Sequence, residues 1–264
     1  MRIVGYLKTS LIEWPGKISS VLFSPGCNFR CPFCHNRELV KVDNKKLKNH
    51  SEKGVLKDLK RRRKWIDGVC LTGGEPTLQP DLGQFLRKLR KMGFEVMLET
   101  NGSRPEVIGR LIENGLLDFV ALDYKTVFSE YESLVKIPGH AKAKPRAGKK
   151  TNKKLKKKDK FQNVGSCVKQ SLRIVFKSGV KLQLRTTLVP TIHDEQVLLQ
   201  MAEELKELTA RTSGFTPFSW QWQEFQSQNC LETRFSQMAP IDKEKGQRWV
   251  KKIRKNMPGV ELRY

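Results

Sequence analysis

Short apolar, β-branched segments alternate along this chain with stretches of helical periodicity, and this alternation limits the possible folds more than any other feature. Six segments have the character of strands and end at turn signals. They are Ile18–Ser24, Gly68–Thr72, Phe94–Glu99, Phe119–Asp123, Lys181–Val189 and Phe218–Phe225. Repeated strand–helix units form parallel sheets with right-handed crossovers. Six units are too few for a closed eight-stranded barrel, so the sequence predicts an α/β fold, an open partial (βα)6 TIM-like barrel.

Between these strands, apolar residues recur at helical spacing. The clearest stripes span residues 82–92, 107–112, 164–175 and 197–208. Each stripe predicts a helix that packs its apolar side against the sheet. Two segments interrupt the order: residues 45–64 are basic with some helical character, and residues 141–160 are lysine-rich. The second contains too few apolar residues to offset the entropy of ordering, so we expect a disordered insertion in a single domain of residues 1–264.

The chain of 264 residues has a formal net charge of +24, and eleven of residues 142–160 are Lys or Arg. Such an excess suits nucleic acid, acidic protein partners or a membrane surface, and equally a solvated surface without a dedicated partner. The start of the chain has no signal-peptide pattern, and no apolar stretch is long enough to cross a bilayer. We therefore expect a cytoplasmic protein without a membrane partner, whose six cysteines do not form a disulfide framework.

Residues suited to chemistry follow four of the predicted strands. Cysteines follow the first strand, Gly73-Gly74-Glu75-Pro76 the second, Glu99-Thr100-Asn101-Gly102 the third, and Asp123 and Lys125 end the fourth. In parallel α/β folds the functional site lies at the carboxyl ends of the strands. These motifs are therefore expected to meet at one edge of the sheet.

Three cysteines, Cys27, Cys31 and Cys34, lie within eight residues of one another. Closely spaced thiolates on one loop can hold a single iron–sulfur cluster. Three thiolates leave one iron of a four-iron cluster open to a substrate or cofactor. Zinc is the alternative, but a structural zinc site usually has four protein ligands, and His35 is the sole nearby candidate for the fourth.

This cysteine spacing, with Phe33 before the third cysteine, resembles the radical S-adenosylmethionine (radical SAM) superfamily. The resemblance implies one [4Fe-4S] cluster and SAM as cofactors, with the amino and carboxylate groups of SAM on the open iron. It places Phe33 beside the adenine. It also implies that Gly73, Gly74, Glu75 and Pro76 form the glycine-rich motif that binds the SAM amino group.

Later motifs resemble the glycyl-radical-enzyme activases of this superfamily. The resemblance implies that Glu99, Thr100 and Asp123 lie near the SAM carboxylate or ribose. Lys125 would pair with that carboxylate, or alternatively form a simple ion pair with Asp123. Arg185 is a candidate SAM contact. His193 is another, although a histidine just before a helix is more often a surface residue.

The segments Gly5–Lys17 and Phe23–Asn36 resemble the activating proteins of anaerobic ribonucleoside-triphosphate reductase. The resemblance implies an enzyme that cleaves SAM and generates a glycyl radical on that reductase, with flavodoxin or ferredoxin as the electron donor. No protein acid or base is required, because the cofactors carry the chemistry.

Two other functions remain open at this stage. The first is a radical SAM enzyme that acts on a small molecule or RNA, as in modified-nucleoside synthesis. Nucleic acid is possible but not favoured, because the lysine tracts lack interleaved aromatics that would stack on bases. The second is a non-enzymatic adaptor carrying a cluster or zinc, which would not bind SAM.

Overall fold

The computed structural model describes residues 1–41, 46–136, 163–212 and 218–262. Within these residues, eight strands form one sheet in the order of the sequence. The strands are β1 (Gly5–Ser10), β2 (Ser19–Ser24), β3 (Gly68–Gly73), β4 (Glu95–Thr100), β5 (Phe119–Asp123), β6 (Lys181–Leu188), β7 (Phe218–Glu224) and β8 (Val260–Leu262). Strand β1 is antiparallel to β2, and strands β2 to β8 are parallel to one another.

The six strands predicted from the sequence correspond to β2 through β7, and the α/β partial-barrel prediction is confirmed. The two edge strands, β1 and β8, were not predicted. In β1, three consecutive side chains (Leu7, Lys8 and Thr9) are exposed, so the strand lacks the alternation that marks a half-buried strand. Strand β8 has three residues, too few to show a pattern.

Helices cover the outside of the sheet. They are α1 (Arg37–Val40), α2 (Glu52–Arg61), α3 (Leu82–Lys91), α4 (Pro105–Glu113), α5 (Tyr131–Val135), α6 (Val164–Phe176), α7 (Glu195–Ala210) and α8 (Lys243–Arg254). The four predicted apolar stripes are helices α3, α4, α6 and α7, and α2 lies in the basic segment 45–64. Residues 141–160 lie outside the described residues, so the disordered insertion and the single domain stay predictions. None of the described helices is both long and apolar enough to cross a membrane.

Alternate residues of each strand face the helices or the interior of the barrel. The side chains that face the helices belong to the main core and are fully buried, among them Leu22, Leu71, Leu98 and Leu122. The interior holds a smaller cluster made by Trp14, Val21, Cys70, Met97 and Ala121. Cys70 is fully buried there and packs as a small apolar side chain.

Trp14 closes the amino-terminal end of the barrel. Its side chain is buried, and its ring centroid lies 5.9 Å from that of Phe119, the first residue of β5. A Cβ atom on Gly68 would lie 2.5 Å from the Trp14 ring, so the ring fits only because β3 begins with glycine. Burying an indole of this size contributes about 3 kcal/mol.

The basic run that ends α2 serves the fold. Arg62 donates to the carbonyl oxygen of Lys8 and to the hydroxyl of Thr9, both in β1. Arg63 donates to the carbonyl oxygens of Met92 (3.1 Å) and Gly93 (2.6 Å), which follow α3. These guanidinium groups connect α2 to β1 and to the end of α3, so part of the positive charge has a structural use.

Candidate functional site

The three clustered cysteines lie on the loop that follows β2, called the cluster loop here (residues 27–34). Gly26 turns the chain with a φ of +87°. The backbone N–H groups of Gly26 and Cys27 then donate to the carbonyl oxygens of Leu39 (2.7 Å) and Val40 (3.1 Å) in α1. These bonds fix the start of the loop at the carboxyl edge of the sheet, as predicted.

All three cysteines are free thiols; Cys31 is buried, while Cys27 and Cys34 are partly exposed. Burial raises the pKa of Cys27 to about 11 and that of Cys31 to about 12, and it also raises the pKa of Cys34. For each thiol, the charge of Lys125 acts in the opposite direction. One cation therefore lies within electrostatic reach of all three sulfur atoms and favours their thiolate forms.

These residues fit an iron–sulfur cluster. The cluster loop carries three free thiols, and the buried rings of Phe29 and Phe33 form apolar surroundings. In the part of the chain that the structure describes, no three His, Cys, Asp or Glu side chains converge as the ligands of a single metal ion do. Three thiolates can each bind one iron of a four-iron cluster, whereas a structural zinc ion usually has four protein ligands, so the donor set favours the cluster over zinc.

The two glycines of the predicted glycine-rich motif lie against the backbone around the cluster loop. A Cβ atom on Gly74 would lie 2.0 Å from the carbonyl oxygen of Gly26, and one on Gly73 would lie 2.4 Å from backbone atoms of Ser24. The N–H of Glu75 donates to the same Gly26 oxygen (2.7 Å). Gly73 and Gly74 therefore allow the turn after β3 to pack closely against the backbone that leads into the cluster loop. Contact of this motif with the SAM amino group stays a prediction.

Glu75 is completely buried, and its carboxylate accepts four hydrogen bonds. The donors are the N–H (3.1 Å) and hydroxyl (2.5 Å) of Thr77, the hydroxyl of Thr100 (2.8 Å) and the N–H of Asn101 (2.7 Å). Burial raises the pKa of Glu75, although these bonds oppose the effect. The carboxylate therefore ties the turn after β3, including the buried Pro76, to the end of β4.

Asn101 belongs to the third strand-end motif but is not among the predicted site residues. Its side-chain amide donates to Asn28 Oδ1 (2.9 Å) and lies 3.8 Å from the sulfur of Cys27. Asn28 in turn donates to the hydroxyl of Ser103 (2.9 Å). The two asparagines connect β4 to the cluster loop, and the position of Asn101 at a predicted strand end was the available signal.

Lys125 and Asp123 form an ion pair of 2.8 Å at the end of β5, as the alternative reading of this pair predicted. Burial acts to lower the pKa of Lys125, but the charges of Asp123, Cys31 and Tyr131 and the hydrogen bond to Asp123 together exceed it, so the pKa of Lys125 is raised. The hydroxyl of Tyr131 accepts a hydrogen bond from the backbone N–H of Lys125 (2.8 Å). Lys125 is thus a fixed cation beside the cysteines, and its pairing with a SAM carboxylate stays a prediction.

His193 is 4% exposed, so the expectation of a surface position is wrong. Its Nδ1 accepts from the N–H of Val189 (3.0 Å), and its Nε2 therefore carries the proton and donates to the carbonyl oxygen of Lys125 (2.9 Å). Burial lowers the pKa of His193 to about 4. Both ring nitrogens are bonded to backbone, so His193 holds the Lys125 main chain in place.

Arg185 and Glu99 meet inside the barrel. The guanidinium donates to the carboxylates of Glu99 and Glu13, to the carbonyl oxygen of Glu13 (3.0 Å) and to Gln183 Oε1 (3.0 Å). Burial raises the pKa of Glu99 to about 7 against the attraction of Arg185. These bonds join β4, β6 and the segment that carries Trp14, and a contact of Arg185 or Glu99 with SAM stays a prediction.

Phe33 is buried and packs against Phe235, with ring centroids 6.5 Å apart. Phe235 lies in a 3-10 turn (Thr233–Gln237) after β7. The two residues are about two hundred positions apart. Contact of Phe33 with the adenine stays a prediction.

Comparison with known proteins places the chain in a family. The profile described as the radical SAM superfamily matches residues 21–205. A protein of Methanocaldococcus jannaschii, assigned as a glycyl-radical enzyme activating enzyme, is 30% identical over 96% of this chain and 91% of its own length. The pyruvate formate-lyase-activating enzyme of Clostridium pasteurianum is 28% identical over 74% of this chain and 71% of its own length.

A solved structure shares the fold. It is Streptococcus suis SuiB bound to S-adenosylmethionine, with a TM-score of 0.59 and 12% identity; 92% of this chain matches 52% of that one. The chain thus spans about half the length of SuiB. The chain belongs to the radical SAM superfamily, within the family of glycyl-radical-enzyme activating enzymes. Its cofactors are accordingly a [4Fe-4S] cluster and SAM.

Proposed function

We propose that this protein generates a glycyl radical on an anaerobic ribonucleoside-triphosphate reductase. The observation that carries the proposal is the cluster loop at the carboxyl edge of the sheet, with three free thiols around the cation of Lys125. The choice of reductase over other glycyl-radical enzymes is supported by the sequences Gly5–Lys17 and Phe23–Asn36.

In this proposal the thiolates of Cys27, Cys31 and Cys34 would hold the cluster. With SAM, the cluster would supply one-electron cleavage chemistry and the radical needed to take a hydrogen atom from a backbone glycine. Lys125 offsets the negative charge of the thiolates and offers a cation to a carboxylate. The rings of Phe29 and Phe33 are buried together with Cys31 and give the loop an apolar surrounding.

In this proposal, several residues predicted to contact SAM have a structural role instead. Glu75, Glu99, Arg185 and His193 already use their polar atoms in bonds within the protein. They hold the strand ends at fixed positions, which is what a site that orients a cofactor requires.

The proposed electron donor is a reduced flavodoxin or ferredoxin. The net charge of +24 favours the docking of acidic partners. Because such attraction is screened by salt, electron transfer from an acidic donor should slow as ionic strength rises.

The test is anaerobic reconstitution with iron and sulfide, followed by reduction and addition of SAM and the reductase. Electron paramagnetic resonance then looks for a carbon-centred radical on the reductase. A signal that requires SAM, this protein and the reductase's own glycine supports the proposal. Formation of 5′-deoxyadenosine without that signal would contradict it and would point to a small molecule or RNA as the substrate.

A further inference from the structure

The cluster loop is covered on one side by a segment distant in sequence. The N–H of Glu232 donates to the carbonyl oxygen of Pro32 (2.9 Å). The thiol of Cys230 contacts the carbonyl oxygens of Phe33 (3.8 Å) and Gln226 (3.5 Å). The segment after β7 therefore satisfies the Pro32 carbonyl, and it places the thiol of Cys230, whose single S–H can be shared with Gln226, within reach of the Phe33 carbonyl.

Aromatic packing strengthens this contact. The ring of Phe235 lies 6.5 Å from that of Phe33 and 6.4 Å from that of Phe225. The side chains of Cys230, Phe225 and Phe235 are at most 2% exposed. The segment thus buries the side of the loop on which the ring of Phe33 lies.

These contacts are made to the part of the loop that separates two of the cysteines. Pro32 and Phe33 are the two residues between Cys31 and Cys34, so whatever fixes Pro32 and Phe33 also fixes the separation of two sulfur atoms. Within the loop, the N–H of Cys34 donates to the carbonyl oxygen of Cys31 (3.1 Å). That single turn leaves the Pro32 and Phe33 carbonyl groups dependent on partners from elsewhere.

We infer that Cys230, Glu232 and Phe235 form a clamp that positions Cys31 and Cys34 for cluster binding. The clamp acts through the Pro32–Phe33 backbone and the Phe33 ring. Cys230 is a positioning residue whose weak S–H donor reaches a loop carbonyl. The inference does not depend on which protein receives the radical.

The first measurement uses the metal-free protein and follows amide hydrogen exchange in residues 27–36. Phe235→Leu removes the ring next to Phe33, and Cys230→Ala removes the thiol. We expect exchange about tenfold faster in both variants, which corresponds to ~1.4 kcal/mol of local stability. Cys230→Ser keeps a hydrogen-bond donor at this position and should exchange more slowly than Cys230→Ala.

Two controls separate the clamp from general destabilisation. Phe176→Leu alters a buried aromatic residue that packs on Phe218 (5.1 Å) instead of the loop. Cys167→Ala removes a cysteine of α6, outside the clamp. Both controls should leave exchange in residues 27–36 unchanged.

The second measurement uses reconstituted protein and records iron content and the paramagnetic resonance spectrum of the reduced cluster. The clamp predicts an altered spectrum for Phe235→Leu and Cys230→Ala, and the wild-type spectrum for both controls. Exchange and spectra in the clamp variants that match those of wild type, or that change equally in Phe176→Leu, would overturn the inference.

Discussion

Acidification of the metal-free protein tests the role of His193. Its imidazole is neutral because burial lowers its pKa from 6.5 to about 4, an effect that the bond to the Lys125 carbonyl oxygen and the charge of Asp194 only partly oppose. The unfolded chain takes up a proton at this residue below pH 6.5, whereas the folded protein does so only near pH 4. Stability from His193 is therefore complete above pH 6.5 and is lost as the pH falls from 6.5 to 4.

The size of this effect follows from the two pKa values. One pKa unit corresponds to about 1.36 kcal/mol, so the neutral imidazole contributes about 3 kcal/mol at neutral pH. About 2 kcal/mol of this is lost at a pH of about 5. Solvent screening does not reduce this contribution to the free energy of unfolding, because the His193 side chain is only 4% exposed.

The assay is urea unfolding of the wild type and His193→Gln at pH 7 and pH 5. Glutamine does not titrate, so the free energy of unfolding should change by about 2 kcal/mol less in the variant than in the wild type. His50→Gln serves as the control for the loss of an imidazole elsewhere in the protein. Equal changes in wild type and His193→Gln would refute the assignment of His193 as a buried neutral bridge between Val189 and Lys125.

Two further predictions concern the turn after β3. Glu75→Gln should lower the free energy of unfolding by about 2–3 kcal/mol, because an amide N–H₂ replaces one oxygen among four donors; urea unfolding that matches the wild type would show that the carboxylate does not tie the strand ends. Gly74→Ala should sharply lower the iron bound after reconstitution, because its Cβ would lie 2.0 Å from the Gly26 oxygen, whereas Gly83→Ala, whose Cβ would lie 3.7 Å from Leu111, should bind iron normally. Equal iron content in these two variants would contradict the close backbone contact.

The regular part of the fold could be predicted because its signals are local. Strands β2 to β7 and helices α3, α4, α6 and α7 each show a period of two or 3.6 residues, or an apolar run with a turn signal. Strand β1 lacks such a signal, because its exposed residues Leu7 to Thr9 depend on pairing with β2 for their conformation. Edge strands are set by the neighbouring strand more than by their own sequence.

The site could be located from the sequence, but its bonding could not. Parallel topology alone brings the strand-end motifs to one edge, and the cysteine spacing identifies the cluster loop. The partners of Glu75 and Arg185 come from other strands and from the segment with Glu13, so tertiary packing decides them. The same holds for Cys230, which reaches the loop from 197 positions away.

The most direct test of the account is the formation of 5′-deoxyadenosine from SAM by the reconstituted, reduced protein. Cys31→Ala removes the buried thiol of the cluster loop, and Cys167→Ala removes a thiol in α6. The account predicts 5′-deoxyadenosine from wild type and Cys167→Ala, and none from Cys31→Ala. Product formation that persists in Cys31→Ala, or its absence from a wild type with a full complement of iron, would contradict the assignment of the cluster loop as the SAM-cleaving site.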